Sequence, residues 1–215
     1  MKKYIPLHVH THYSLLDGLS KPTDIVKRCQ NIGVSSCAIT DHGSISGTVQ
    51  FYSELKKNGM KPILGCELYV PQKDSKEKNR ENAKLDHLVV LAKNLAGWKT
   101  LIKIVSESNN PDRYYHKPRI DIDTLGDLLD GNLVAITGHL GSTLARQIIP
   151  EDKINDDWKK KGQDHISKLT NAFGTGNVFL EAQLVDKEMN PSQVELTDCI
   201  RTLGGLMDTK VICTP

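Results

Sequence analysis

Short apolar runs rich in β-branched residues alternate along the whole chain with longer amphipathic stretches. The runs predict strands, and the stretches between them have the apolar spacing of surface helices. The predicted strands are Tyr4–His10, Ser36–Thr40, Pro62–Val70, His87–Ala92, Leu133–Thr137, Val178–Ala182 and Lys210–Cys213. The predicted helices are Thr23–Asn31, Val49–Lys57, Gly97–Ser106, Asp157–Phe173 and Ser192–Leu203. Seven strands alternating with helices indicate an α/β fold with a parallel sheet.

Composition and cysteine usage exclude several classes of protein. The five cysteines are odd in number and widely spaced, without a CxxC pair, which suits reduced thiols better than a disulfide framework or a zinc finger. No stretch approaches the roughly 20 apolar residues of a membrane span, and no secretory signal is visible, so we expect a cytoplasmic protein with no membrane partner. A net charge of +2 leaves any nucleic-acid contact to a local patch.

The densest polar signal is the run His8-Val9-His10 at the end of the first predicted strand. Residues two apart in a strand share a face, so His8 and His10 are expected to point the same way. Two imidazoles on one face form a natural metal-binding pair. The alternative is an isolated pair of histidines on an edge strand. His12 falls beyond the strand end and is the weaker candidate.

A second polar group, Asp41-His42-Gly43, follows the apolar strand Ser36–Thr40 directly. It lies at the carboxyl end of that strand, which is where α/β barrels build their sites from the loops that lead into the helices. Alternatively, Asp41 caps a helix and His42 lies on the surface. That alternative stays open for Asp41 and is weaker for His42.

Single ionisable residues interrupt or flank the later strands. Glu67 and Glu181 each lie inside an apolar strand, where a carboxylate is costly unless it is paired or metal-bound. His87 opens the strand after Glu67, and His139 follows the next one. Either histidine alone could be an ordinary core or surface residue. We therefore expect a functional role for Glu67 and leave the role of Glu181 open.

These residues matter more as a pattern than singly, because successive strands each carry a histidine or a carboxylate near one end. A closed barrel would bring such groups together at one mouth, whereas an open doubly wound sheet would spread them along a line. We therefore predict the barrel. Histidine and carboxylate ligands without cysteine suit zinc, manganese or iron. A carboxylate such as Glu67 can bridge two ions about 3.5–4 Å apart, which can activate water for phosphoester hydrolysis.

Five motifs together resemble the PHP (polymerase and histidinol phosphatase) family, and most closely its branch at the N-terminus of bacterial DNA polymerase III alpha subunits. The motifs are His8-Val9-His10-Thr11, Ile39-Thr40-Asp41-His42-Gly43, Lys61-Pro62-Ile63-Leu64-Gly65-Cys66-Glu67, His87-Leu88-Val89-Val90-Leu91-Ala92-Lys93-Asn94 and Lys117-Pro118-Arg119-Ile120-Asp121. The resemblance covers essentially the whole chain. It implies a distorted seven-stranded (βα)7 TIM-like barrel that holds two or three divalent ions of zinc, manganese or iron.

The resemblance also implies roles for individual residues. His8 and His10 match the family's first metal-binding pair, and Glu67 matches its bridging carboxylate; all three would act in catalysis through bound metal. The other implied metal ligands are Asp17 and His42 for an outlying ion, and His87 and His139 for the ion that shares Glu67.

The implied activity is 3′–5′ exonucleolytic proofreading or a related phosphoesterase reaction. The implied partners are a DNA 3′ end and the rest of the polymerase III alpha chain within the replisome. Two alternatives remain. The domain is a non-catalytic module that stabilises the polymerase, as in family members that lack these residues, or it is a stand-alone phosphatase of the histidinol-phosphate type.

Two segments depart from a simple reading. The family's last strand normally ends in an Asp-x-His motif that supplies two further ligands, so we expect a PHP domain over residues 1–215 that stops just before this motif. The segment Gln72–Lys84 is densely charged and has no apolar period. Its lysines could touch a nucleic-acid backbone, but acidic neighbours dilute them, and we interpret the segment as a solvated excursion.

Overall fold

A computed structural model describes residues 4–214 of the chain, so Pro215 lies outside the described residues. The helices are α1 (Pro22–Asn31), α2 (Thr48–Lys57), α3 (Leu95–Ser108), α4 (Ile122–Leu128), α5 (Thr143–Ile148), α6 (Trp158–Phe173) and α7 (Pro191–Leu206). The strands are β1 (Ser36–Ile39), β2 (Lys61–Pro71), β3 (Leu85–Ala92), β4 (Leu133–Thr137), β5 (Val178–Gln183) and β6 (Val211–Thr214), and one 3-10 turn covers Pro150–Asp152. All five predicted helices form within a few residues of their expected bounds. The two shortest, α4 and α5, were not predicted.

The strands form one sheet in chain order, from β1 to β6. The pairs β1–β2, β4–β5 and β5–β6 are parallel, but β3 is antiparallel to both of its neighbours. The expectation of a fully parallel sheet is therefore wrong at β3. A loop without a helix connects β2 to β3, and such a loop returns the chain antiparallel to the strand it left.

The first predicted strand, Tyr4–His10, is not a regular strand in the described residues, so six of the seven predicted strands form. It runs beside β1, where the backbone N–H groups of Ala38 and Thr40 donate to the carbonyls of Pro6 and Val9. Pro6 has no N–H to return, and the N–H of Val9 donates to the Thr40 hydroxyl at 2.8 Å instead of to a backbone carbonyl. The ladder is therefore interrupted, although the segment keeps its place at the edge of the sheet.

The sheet curls into a half-barrel around one apolar cluster. Its inward-facing side chains come from every strand and from the segment before α1: Leu7, Ala38, Ile63, Val89, Leu91, Val134, Ile136, Phe179 and Ile212. Helices pack outside in separate clusters, for example Leu101 and Ile104 of α3 against β2 and β3. Convergence on one interior agrees with the predicted barrel rather than an open doubly wound sheet. None of the helices in residues 4–214 has the length and apolar character that a membrane crossing needs.

The charged segment Gln72–Lys84 is not a free excursion. Its charged side chains are exposed, but its backbone folds around the fully buried guanidinium of Arg119. Arg119 donates to the carbonyls of Glu77 at 2.9 Å, Asn82 at 3.0 Å and Arg113 at 2.8 Å. The arginine of the Lys-Pro-Arg-Ile-Asp motif thus holds the β2–β3 loop in place.

Candidate metal centre

One cavity of about 380 Å³ at a mouth of the half-barrel contains every residue predicted to bind metal. Its lining comprises His8, His10, Asp17, His42, Glu67, His87 and His139, together with Gly141, Gln183 and Thr214. These residues come from the edge segment Tyr4–His10, the loop between it and α1, the loops after β1 and β4, and strands β2, β3, β5 and β6. The fold therefore brings together all seven candidates, and their roles as ligands remain a proposal.

The carboxylate of Glu67 lies at the centre of the cluster and is only 1% exposed. Five imidazole nitrogens surround it. Its Oε2 atom lies 3.5 Å from His8 Nε2, 3.1 Å from His10 Nε2 and 2.9 Å from His42 Nδ1, and its Oε1 atom lies 3.1 Å from both His87 Nδ1 and His139 Nε2. Burial opposes ionisation of Glu67, but the surrounding imidazoles outweigh it and hold the pKa of this carboxyl far below its usual range.

Several of these short contacts are not aligned as hydrogen bonds. Within residues 4–214, Glu67 Oε2, His42 Nδ1 and His139 Nε2 have no hydrogen-bond partner although they are buried. The Nε2 atoms of His8 and His10 also face each other at 3.2 Å. Buried polar atoms are normally satisfied. Ligand atoms that converge on shared points without donor–acceptor alignment fit divalent ions, and imidazole with carboxylate is the donor set of zinc, manganese and iron.

The possible ligand atoms fall into three groups, and within each group they lie within 4.8 Å of one another. The groups are His8 with His10 and Glu67, His10 with Asp17 and His42, and His42 with Glu67 and His87. The first matches the set that the family resemblance implies, and the second contains the implied pair Asp17 and His42 together with His10. The third differs, because it joins His87 to His42 rather than to His139. His139 reaches the same carboxylate outside these groups.

Asp41 is a buried anchor rather than a cap or a ligand candidate. Its carboxylate accepts hydrogen bonds from the backbone N–H of Thr11 at 2.6 Å, from the hydroxyl of Thr11 at 2.8 Å and from the hydroxyl of Ser14 at 2.9 Å. The Ser14 hydroxyl in turn accepts from the His42 backbone N–H at 3.1 Å. Asp41 therefore holds the loop that carries Asp17 against the loop that carries His42.

Glu181 supports His8 from behind. Its fully buried carboxylate lies 2.8 Å from His8 Nδ1 and accepts from the Thr214 hydroxyl at 2.7 Å. Burial lowers the pKa of His8, but hydrogen bonds to Glu181 and Glu67 outweigh it and raise that pKa to about 10. A carboxylate on the far nitrogen fixes the ring orientation of a ligating histidine and strengthens it as a ligand. The cost of burying a carboxylate identifies Glu181 in the sequence, but it does not identify His8 as the partner of Glu181.

Sequence reasoning did not identify Tyr69 and Lys117, which lie beside the cluster. The weaker candidate His12 is not part of the cluster. The Tyr69 ring stacks against His42 at 5.6 Å between centroids, and the Lys117 ammonium lies 3.2 Å from the Tyr69 hydroxyl. Tyr69 is two residues beyond Glu67 in β2, so the two-residue period of a strand could have identified it. His12 packs against Tyr13 and belongs to none of the three groups found in the described residues.

A curled α/β sheet with imidazoles and carboxylates gathered at one mouth defines a half-barrel protein with a candidate metal centre. Residues 6–184 match the family described as the PHP domain, and the chain belongs to that family.

The curated relatives are DNA polymerase III alpha subunits. The chain is 39% identical over 175 residues to the one from Borreliella burgdorferi, covering 78% of this chain and 15% of that protein. It is 37% identical over 189 residues to the one from Aquifex aeolicus, covering 85% of this chain and 16% of that protein. The chain therefore spans about a sixth of the length of these relatives.

Two solved structures share the fold at 14% identity. One is a protein from Bifidobacterium adolescentis provisionally described as a metal-dependent phosphoesterase, with a TM-score of 0.58. The other is an amidohydrolase from Chromobacterium violaceum with bound sulfate and no metal, with a TM-score of 0.60. Each similarity covers 98% of this chain and 86% of the other, and it supports the barrel architecture alone.

Proposed function

We propose that this chain is a metal-dependent phosphoesterase domain that removes nucleotides from the 3′ end of DNA. The observation that carries the proposal is the carboxylate of Glu67, which is buried among five imidazoles whose nitrogens are not all aligned to donate to it. The relatives named as polymerase subunits support DNA as the substrate, and the rest of such a polymerase chain as the partner.

The residues proposed to hold two or three divalent ions are His8, His10, Asp17, His42, Glu67, His87 and His139. Bound ions of this kind supply an activated water and stabilise charge on a phosphoryl group. Zinc, manganese and iron all suit the donor set.

The chain's own residues have separate tasks around such a centre. Glu67 would hold bound ions through its buried carboxylate, and Glu181 orients His8. Lys117 places a positive charge beside Tyr69, whose ring stacks against His42 at the edge of the cluster. We propose that this ammonium attracts the phosphate backbone of the DNA. The attraction between lysine and phosphate is electrostatic, so it does not depend on base sequence.

A non-catalytic, metal-stabilised module of the polymerase is the second candidate. The observation that favours it is the position of Asp17, whose side chain is 54% exposed, against 1% for Glu67. A half-exposed ligand holds an outlying ion less firmly than a buried one, because water competes for the same position. Such a domain would keep the inner ions and lack the complete centre that hydrolysis requires.

The test is an exonuclease assay on metal-loaded protein, with a single-stranded DNA labelled at its 5′ end. We expect stepwise shortening from the 3′ end that stops with EDTA and in Glu67→Gln, and that persists in the exposed control Glu195→Gln. Full metal loading without shortening, both in this chain and in a longer polymerase chain that contains it, would establish the structural module instead.

A further inference from the structure

The hydroxyl of Ser14 is a buried junction between two residues of the candidate metal centre. It lies 3.2 Å from Nδ1 of His10 and accepts a hydrogen bond from the backbone N–H of His42 at 3.1 Å. It also donates to the carboxylate of Asp41 at 2.9 Å. Ser14 is 1% exposed and does not line the cavity. Its hydroxyl can therefore act on the centre only through the residues that it contacts.

The carboxylate of Asp41 fixes the direction of the Ser14 proton. Its Oδ1 atom also accepts from the backbone N–H of Thr11 at 2.6 Å, and its Oδ2 atom accepts from the Thr11 hydroxyl at 2.8 Å. The oxygen of that hydroxyl accepts from the backbone N–H of Tyr13 at 3.2 Å, which leaves its proton for Asp41. A carboxylate that has donors on both oxygens only accepts hydrogen bonds, so the Ser14 hydroxyl must donate to it.

The proton positions then determine how Ser14 contacts His10. A serine hydroxyl has one proton and two lone pairs. The proton points to Asp41, and one lone pair accepts from the backbone N–H of His42. The remaining lone pair can only accept, so Nδ1 of His10 carries the proton in this contact. A neutral imidazole that is protonated on Nδ1 has its free lone pair on Nε2.

The nitrogen that is left free faces the candidate centre. Nε2 of His10 lies 3.1 Å from Oε2 of Glu67 and 3.2 Å from Nε2 of His8. A ligating histidine normally donates the proton on its other nitrogen to an acceptor, which fixes the tautomer and the ring orientation. Glu181 is such a partner for His8, at 2.8 Å from its Nδ1. Ser14 has the corresponding position behind His10.

We propose that Ser14 is a positioning residue for His10. It holds the imidazole with its proton on Nδ1, so that Nε2 can bind a divalent ion together with His8 and Glu67. The inference rests on the metal centre of the proposed function and not on its DNA substrate. A purely structural Ser14 would only join the loop before α1 to the loop after β1. The positioning role also makes the affinity for one ion depend on the hydroxyl.

The experiment compares zinc binding by wild type, Ser14→Ala and Ser108→Ala, measured by competition with a chromogenic chelator. Ser108 is the matched control, because it is a buried serine outside the cavity whose hydroxyl donates to the Val105 carbonyl. We expect Ser14→Ala to weaken one zinc ion by about 10- to 100-fold, as loss of an outer partner does. Ser108→Ala should bind zinc as wild type does, although urea denaturation should show that both metal-free variants are destabilised.

NMR spectroscopy of zinc-loaded protein with isotope-labelled histidine side chains reports the tautomer directly. The signal of His10 is identified by its loss in His10→Asn. In wild type we expect zinc on Nε2 and a proton on Nδ1 that exchanges slowly with water, because the proton is held by Ser14. In Ser14→Ala this slow exchange should be lost. The measurement on wild type tests the inference even where Ser14→Ala does not fold.

Several outcomes would overturn the inference. One is a wild-type His10 that binds zinc through Nδ1 or carries its proton on Nε2. Another is tight zinc binding by wild type that is unchanged in Ser14→Ala, which removes the positioning role alone. Equal weakening in Ser108→Ala would show that lost stability causes the effect. Wild type that binds no zinc in the cavity would remove the proposed function as well.

Discussion

Two of the buried charges in the described residues, Glu67 in the cavity and Arg119 beneath the β2–β3 loop, are of opposite sign and of very different kinds. Arg119 donates hydrogen bonds to three backbone carbonyls of its own chain, so folding alone satisfies this charge. Glu67 instead faces imidazole nitrogens, and one of its oxygens has no aligned donor in residues 4–214. A buried charge whose partners are complete within the chain stabilises a fold. A buried charge whose partners converge without pairing marks a binding site.

The largest expected effect concerns Glu67, the buried charge that marks the proposed metal site. Glu67→Gln should weaken divalent-metal binding by more than about 100-fold, because loss of the proposed central ligand exceeds the 10- to 100-fold loss typical of an outer partner. Equilibrium dialysis against zinc or manganese with elemental analysis measures this. Glu195→Gln, at an exposed position, should bind as wild type does. Unchanged binding in Glu67→Gln would break the comparison.

The second prediction concerns Arg119, the buried charge that stabilises the fold. Arg119→Met should lower the free energy of unfolding by about 3 to 5 kcal/mol, because buried carbonyls lose their donors. Arg119→Lys keeps the charge but cannot reach all three carbonyls, so it should lose roughly half as much. Urea denaturation measures both. The folded fraction of either variant should bind metal as tightly as wild type, and a 100-fold loss of affinity there would show that the two sites are not separate.

A third, smaller effect sharpens the account of the metal centre. Glu181→Gln should weaken binding of the ion held by His8 by about 10- to 100-fold, because the amide no longer fixes the imidazole as a carboxylate does. Titration calorimetry with zinc should detect the loss as one weakened site. Glu188→Gln serves as a control because Glu188 is exposed. Equal weakening of every site, or of none, would contradict an effect passed through His8.

The smallest effect concerns a buried histidine outside both regions. His165 lies in α6, where burial, together with the nearby charges of Arg146 and Lys168, outweighs the opposing effect of Asp86 and lowers the pKa of His165 to about 4. Its folded-state pKa lies below the unfolded value of about 6.5, so its contribution to stability is complete above pH 6.5 and falls as the pH drops toward 4. We expect metal-free protein to lose about 1 to 2 kcal/mol from this group between pH 7.5 and pH 5.

His165→Gln should flatten that part of the stability–pH curve, measured by urea denaturation in the presence of EDTA. His116→Asn, at an exposed histidine with positive φ, should leave it unchanged. An unaltered slope in His165→Gln would show that these surroundings do not depress this pKa.

Much of the fold follows from local pattern, and the exceptions have physical causes. The β-branched runs predicted β1 to β6 because residues of this kind are typical of strands that pack against a core. The Tyr4–His10 segment fails as a strand because Pro6 lacks an N–H and the Thr40 hydroxyl takes a place in the ladder. The direction of β3 depends on contacts between distant residues. The helix Ile122–Leu128 was not predicted because so short a segment has a weak apolar pattern. Its start is fixed by Asp121, whose side chain accepts a hydrogen bond from the Thr124 N–H.

The site was more predictable than its supports. Glu67 was identified because a carboxylate in an apolar strand is costly, and the family motifs named the surrounding histidines. The contact between His8 and Glu181 joins residues 173 positions apart, so no local pattern could reveal it. Arg119 was recognised within a motif, but its burial among carbonyls depends on how the β2–β3 loop folds.

Anomalous X-ray diffraction from crystals grown with manganese, recorded on both sides of the manganese absorption edge, tests the central claim most directly. We predict two or three anomalous peaks in the cavity, with at least two of them in contact with the carboxylate of Glu67. A cavity without a peak in fully loaded crystals, or peaks only at surface carboxylates such as those of the β2–β3 loop, would contradict the account.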